Sequence, residues 1–211
     1  MTEIVPDGPA PSPATAAQLL VAALERFGVE RVFGVPGESF LAVLDALVDS
    51  PIAFVPNRHE GGAAFMAEAT AKLTGRPGVC FVTRGPGSPT AAIGVHSAMQ
   101  AATPMVLFVG QVERASRGRG AFQEIDQAAM FAPVAKAAFE LDDPDRVTEI
   151  VARAWATAVG GRPGPVVVAL PEDVIAAPSR ARPLSRAVEA FPPPADPAAA
   201  QATARALLHA E

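Results

Sequence analysis

Strand-sized runs that are apolar on both faces constrain this chain most. Val79 to Val82, Met105 to Val109 and Pro165 to Leu170 carry no alternation of apolar and polar residues, and the last holds Val166-Val167-Val168. A strand of that kind is covered on both faces, as in a parallel sheet clothed by helices. The runs are separated by segments of helical periodicity. Leu19, Leu20, Ala23, Leu24 and Phe27 recur at helical spacing before Gly28 stops the pattern, and Phe40, Val43, Leu44 and Leu47 mark one face of a second helix that Ser39 is expected to cap. Further strands are expected at Val29 to Val35, Ile52 to Val55 and Val134 to Leu141, and further helices from His59 to Thr74, from the Gly-Pro-Gly turn to Ala101 and from Pro144 to Val159. The regular alternation predicts an α/β fold: a doubly wound, mostly parallel sheet of about six strands with helices on both faces.

The flanks differ in composition. Met1 to Pro13 is rich in proline and reads as a disordered leader. Residues 176–197, rich in Pro, Ala and Arg, read as a linker, and residues 198–211 as the alanine-rich first helix of a further, truncated domain. No apolar run approaches the roughly 20 residues that a membrane-crossing helix needs. The lone Cys80 lies within an apolar run and reads as a buried thiol in a reducing compartment; with no signal-type segment at the start, the cytoplasm is the expected location. Charge is thin, 18% of residues for a net of −5, so no basic surface points to nucleic acid. Arg114, Arg117 and Arg119 sit in a loop and read as solvated rather than phosphate-binding. Three histidines without ligand spacing give no metal site.

In an open parallel sheet the ligand lies beyond the carboxyl ends of the strands. Four turns occupy that edge: Pro36 to Ser39, Asn57 to Gly62, Thr83 to Ser88 and the loop from Gly110 to Glu124. None matches a dinucleotide or P-loop pattern, and no Gly-x-Ser-x-Gly elbow is present. Glu60 stands out among the acids. It follows a strand end, opens a helix, and has Gly61, Gly62, Ala63 and Ala64 beside it, which leaves room for a flat ligand. An acid there also simply complements the helix dipole, by about 0.3–1 kcal/mol.

Several blocks taken together carry a family resemblance. Val32 to Gly37, Arg58-His59-Glu60-Gly61-Gly62-Ala63-Ala64, Gly78 to Thr83 with Gly85-Pro86-Gly87, Pro104 to Val112, Ala121-Phe122-Gln123-Glu124-Ile125-Asp126, and Gly161 to Val167 stand in the order and spacing of acetolactate synthase and its thiamine diphosphate-dependent relatives. The resemblance implies that residues 14–175 are a pyrimidine-binding domain and that Glu60 bonds N1′ of the cofactor's aminopyrimidine. Proton exchange there makes the cofactor's 4′-nitrogen basic enough to deprotonate the thiazolium C2. It further implies that Pro36, Gly37, Thr83, Pro86, Gly87 and Thr90 line the cofactor pocket. Phe122 and Gln123 would face the substrate, a 2-keto acid or related small molecule; an ordinary packed aromatic and a loop cap are the plainer readings of those two.

Glu38, Arg84 and Thr90 depart from the usual acetolactate synthase pattern, so a lyase or decarboxylase acting on another 2-keto acid or an acyl-CoA remains alongside carboligation. The Gly-Asp-Gly motif that holds the diphosphate and Mg²⁺ in the family does not occur. The resemblance therefore implies a homo-dimer or tetramer with the cofactor between domains, and no activity from this chain alone. FAD, a structural cofactor of some relatives, is not inferable from these residues. The rival readings are a natural split subunit and a non-catalytic α/β binding module.

Overall fold

In the computed structural model, which describes residues 13–187 and 196–209, the expected alternation is present. The strands are β1 (Arg31–Gly34), β2 (Ala53–Pro56), β3 (Gly78–Val82), β4 (Met105–Gln111), β5 (Ala137–Glu140) and β6 (Pro165–Pro171). The helices are α1 (Ala16–Arg26), α2 (Leu41–Val48), α3 (Glu60–Thr74), α4 (Gly87–Gln100), α5 (Gln127–Phe131), α6 (Val147–Val159), α7 (Glu172–Ala176) and α8 (Pro197–Leu208). All six strands form one sheet in the order β2-β1-β3-β4-β6-β5, and every pairing is parallel. This is the α/β architecture that the doubly apolar runs require. Residues 1–12 of the expected leader and 188–195 of the expected linker lie outside the described residues.

The pleat divides the strands between two cores. Val79 and Phe81 of β3 point into a core shared with α1, α2 and α6, whereas Cys80 and Val82 point into one shared with α3, α4 and α5. The first core is bulky. It contains a stack of Phe40, Phe81 and Phe108, with ring centroids 5.9 and 4.8 Å apart, and the Phe27–Trp155 pair at 4.5 Å. The second is built largely from alanine, so its helices lie close. A Cβ on Gly94 of α4 would come within 2.5 Å of the Ala64 Cβ, and one on Gly78 would come within 1.9 Å of the Ala67 carbonyl oxygen of α3.

Local signals set the helix ends. Thr15 and Gln18 form a reciprocal capping box at the start of α1, and Gly28 and Gly75 take left-handed φ of 72° and 70° after α1 and α3. Ser39 is different. The expected cap of α2 lies instead inside a short 3-10 turn, Glu38–Phe40, and α2 begins without a side-chain cap. The Ser39 hydroxyl is 2.8 Å from that of Thr83, a long-range partner that local pattern could not announce. After α7, Ser179 donates its hydroxyl to the Pro144 carbonyl and Arg180 pairs with Asp145 at 2.9 Å.

Candidate active site

The strand order creates a crevice at one place. From β1 the chain crosses by α2 to β2, and from β3 it crosses by α4 to β4; α2 packs in the bulky core and α4 in the alanine-rich one. The connections after the adjacent strands β1 and β3 thus diverge to opposite faces, which is the topological switch point where ligands enter such sheets. Pro36-Gly37 follows β1 and Thr83 to Gly87 follows β3.

These turns touch. A Cβ on Gly37 would lie 2.8 Å from the Thr83 Cβ, and one on Gly87 would lie 2.7 Å from the Thr83 Cγ2 and 3.3 Å from the Glu60 Oε1. Gly37, Thr83, Gly87 and Glu60 therefore form one continuous set, joined by Ser39 through its bond to Thr83. Glu60 is the first residue of α3, half-buried, while His59 caps that helix by accepting the Gly61 N–H at Nδ1 over 3.1 Å. Among the described residues the Glu60 carboxylate makes no hydrogen bond and no ion pair. Its charge reaches Cys80 inside the sheet: burial pushes that thiol far above the usual thiol range, and Glu60 adds to the push. Beside it, a Cβ on Gly62 would meet nothing within 4 Å, so the helix start faces open space.

The remaining expected site residues are placed less tightly. Pro36 and Pro86 are exposed at the crevice mouth. Thr90 donates its hydroxyl to the Pro86 carbonyl at 2.8 Å. Gln123 takes a left-handed φ of 64°, and its main-chain carbonyl accepts the Gly85 N–H at 3.2 Å. Phe122, beside it, is 77% exposed and is not a packed aromatic. Nothing among the described residues joins Phe122 to Glu60.

Reasoning from the sequence missed two supports of this site. Gln111 ends the buried strand β4 and is itself 2% exposed; its amide donates to the Ile125 carbonyl at 2.8 Å and so ties down the loop bearing Phe122 and Gln123. A glutamine closing an otherwise apolar strand was the available signal. Arg84 is buried in the turn after β3 and forms an ion pair with Glu172 at the start of α7. No local pattern links residues so far apart. In the arginine loop Arg114 and Arg119 are exposed, and two of the three arginines carry ion pairs. Arg114 donates from Nε to Asp173 at 2.7 Å and from Nη1 to the Asp142 carbonyl at 2.8 Å, and Arg117 pairs with Glu140 at 2.5 Å.

Burial of Asp173 disfavours its charge, but the hydrogen bonds and charge of Arg114 outweigh that and hold the carboxyl below its ordinary 3.8. A carboxyl depressed by folding stabilises above its unfolded value and ceases to as pH falls through the folded one. Arg114→Ala should therefore cost at most about 1 kcal/mol at neutral pH, as for other exposed pairs. Urea unfolding of both proteins should show that difference shrinking as pH drops below the ordinary carboxyl value; a difference independent of pH would refute the assignment.

Comparison with known proteins bears on what this crevice is for. Residues 14–130 match the family described as "Thiamine pyrophosphate enzyme, N-terminal TPP binding domain". The chain belongs to that family. Thiamine pyrophosphate is the thiamine diphosphate of the resemblance above. The catabolic acetolactate synthase of Raoultella terrigena is 42% identical over 197 residues, 92% of this chain and 35% of that protein. Acetolactate synthase of Bacillus subtilis is 42% identical over 159 residues, 75% of this chain and 28% of that protein. A probable 2-ketoarginine decarboxylase of Pseudomonas aeruginosa is 40% identical over 167 residues, 78% of this chain and 30% of that protein. The chain thus spans about a third of the length of these relatives. Among the described residues no helix is long and apolar enough to cross a membrane.

Proposed function

We propose that this domain binds the aminopyrimidine of thiamine diphosphate at the β1/β3 crevice and that Glu60 exchanges a proton with its N1′ atom, within an enzyme that makes or breaks a carbon–carbon bond next to a carbonyl. One observation carries the reading: a half-buried carboxylate without a partner, at a switch point, backed by Gly87 and open on the side of Gly62. Glu60 needs no partner within the chain because its partner is the ring. The glycines at 37 and 87 already pack against Thr83 without a side chain, so the turns give the ring a wall of backbone rather than side chain. Pro36, Thr83, Pro86 and Thr90 complete that wall, with Phe122 and Gln123 on the substrate side.

The cofactor, when bound, supplies a carbon nucleophile for the substrate carbonyl. Glu60 Oε1 delivers or holds the proton at N1′, and half-burial limits competition from water for that exchange. The substrate is a 2-keto acid. Carboligation is favoured by the similarity to acetolactate synthases, and decarboxylation is kept open by the similarity to a probable 2-ketoarginine decarboxylase. The diphosphate and its Mg²⁺ are held by residues that this chain lacks, across the interface of a homo-oligomer, so the chain alone is inactive. The whole enzyme contains residues 14–175 as one domain, followed by a linker and a further domain that begins near residue 198.

The test is exchange of the cofactor's C2 proton for deuterium in the assembled enzyme, followed by NMR after rapid acid quench. Glu60→Gln should slow exchange by about 10²-fold or more. Exchange as fast as in the wild type would remove Glu60 from cofactor activation.

A further inference from the structure

At the other end of the sheet, where β1 and β3 begin, lies a second concavity that the reading above does not use. It has a volume of about 300 Å³ and is framed by the turn after α1, the Arg76-Pro77-Gly78 connection and Trp155 of α6. That volume is at the lower end of small-molecule sites, which run from about 300 to 1,000 Å³. We propose that this cavity binds a small monocarboxylate with an apolar or aromatic body.

The body is matched by the floor. Phe27 and Trp155 stack with an interplanar angle of 13°, and Pro77 is buried beside them. Trp155 is only 6% exposed, and it lines the cavity. Because Trp155 lines the cavity, a ligand seated there rests against its ring.

The carboxylate is matched by the rim. Arg76 reaches only the Gly28 carbonyl, at a long 3.5 Å, and its backbone is fixed by donation to the Thr74 hydroxyl at 3.3 Å. Arg31 stands 3.9 Å from Glu30, and both side chains are more than half exposed. Neither guanidinium is committed to a strong contact. Two arginines against one glutamate leave the rim net positive, and the guanidinium fork suits a carboxylate in two-pronged geometry. A single short carboxylate fits that volume, whereas a nucleotide does not.

Trp155 is the only tryptophan of the chain, so its indole N–H resonance reports this cavity alone. The chain would be titrated with 4-methylpentanoate and with benzoate, using 4-methylpentanol as the uncharged control. Saturable movement of the indole resonance is expected at millimolar acid, with the alcohol weaker by roughly tenfold. Arg76→Gln and, separately, the more exposed Arg31→Gln should each narrow the gap between acid and alcohol, with the amide spectrum otherwise retained. Glu60→Gln should leave the titration unchanged, because the proposal does not depend on the crevice at the opposite end. An indole resonance that stays still at tens of millimolar acid would overturn the site. Equal responses to acid and alcohol would overturn the carboxylate assignment.

Discussion

Replacing Glu60 with glutamine is expected to lower turnover of the assembled enzyme by about 10²–10⁴-fold without altering the fold, the range over which positioned acid–base groups act. Glutamine keeps the shape and the hydrogen-bonding reach of the side chain and removes the titrating proton. Little structural cost should follow, since among the described residues the carboxylate forms no hydrogen bond and no ion pair. Its only general contribution to stability is a negative charge at the start of α3, worth about 0.3–1 kcal/mol. Those two roles predict opposite patterns. A residue that merely complements the helix should lose a fraction of a degree to a few degrees in melting temperature and no rate. A residue that holds a proton at the cofactor should lose rate with the melting temperature almost unmoved. Measuring kcat and thermal unfolding on the same preparation separates them, and unchanged kcat would refute the proposed role.

The second large effect concerns the packing that carries the site. Gly78→Ala is expected to destabilise by about 3 kcal/mol or more, at the upper end of the cost of overpacking. For a chain of this size that is roughly 6–12 °C in melting temperature. A methyl at that position would stand 1.9 Å from the Ala67 carbonyl oxygen and 2.5 Å from its carbon. Both are backbone atoms in the middle of α3, so no rotamer change relieves the clash. Either α3 lifts from β3 or the strand shifts, and α3 is the helix that presents Glu60. The control is Gly62→Ala, whose added methyl meets nothing within 4 Å and which should be neutral or slightly stabilising to the helix. Equal stability of the Gly78 variant and the wild type would mean that the two elements are not in that contact.

The two mutations also show what could be read before any coordinates. The sheet was legible because β3, β4 and β6 are apolar on both faces, a pattern with few physical explanations. Glu60 was legible as a candidate because an acid after a strand, followed by glycines and alanines, is locally unusual. Gly78 was not legible as a contact point. Its constraint comes from α3 crossing it in space, and one glycine before a strand looks like any other turn residue. The same holds for Ser39, whose hydroxyl meets Thr83 instead of capping α2, and for Arg84, whose partner Glu172 lies on the far side of the sequence. Local chemistry announces elements and their ends; it is silent on pairs that only the strand order brings together.

The position of β6 has a consequence for how the chain comes off the ribosome. The central strand β4 is flanked by β3 on one side and by β6 on the other, and β6 begins at Pro165, long after β4 ends at Gln111. At a synthesis rate of about 5–20 residues per second, roughly 3–10 seconds pass before the missing neighbour emerges. Throughout that interval a strand made almost wholly of Met, Val, Leu and Phe offers an open row of backbone donors and acceptors, the kind of edge that recruits other chains. Truncations that end between residues 112 and 164 should therefore aggregate, sedimenting where the longer chain stays in solution.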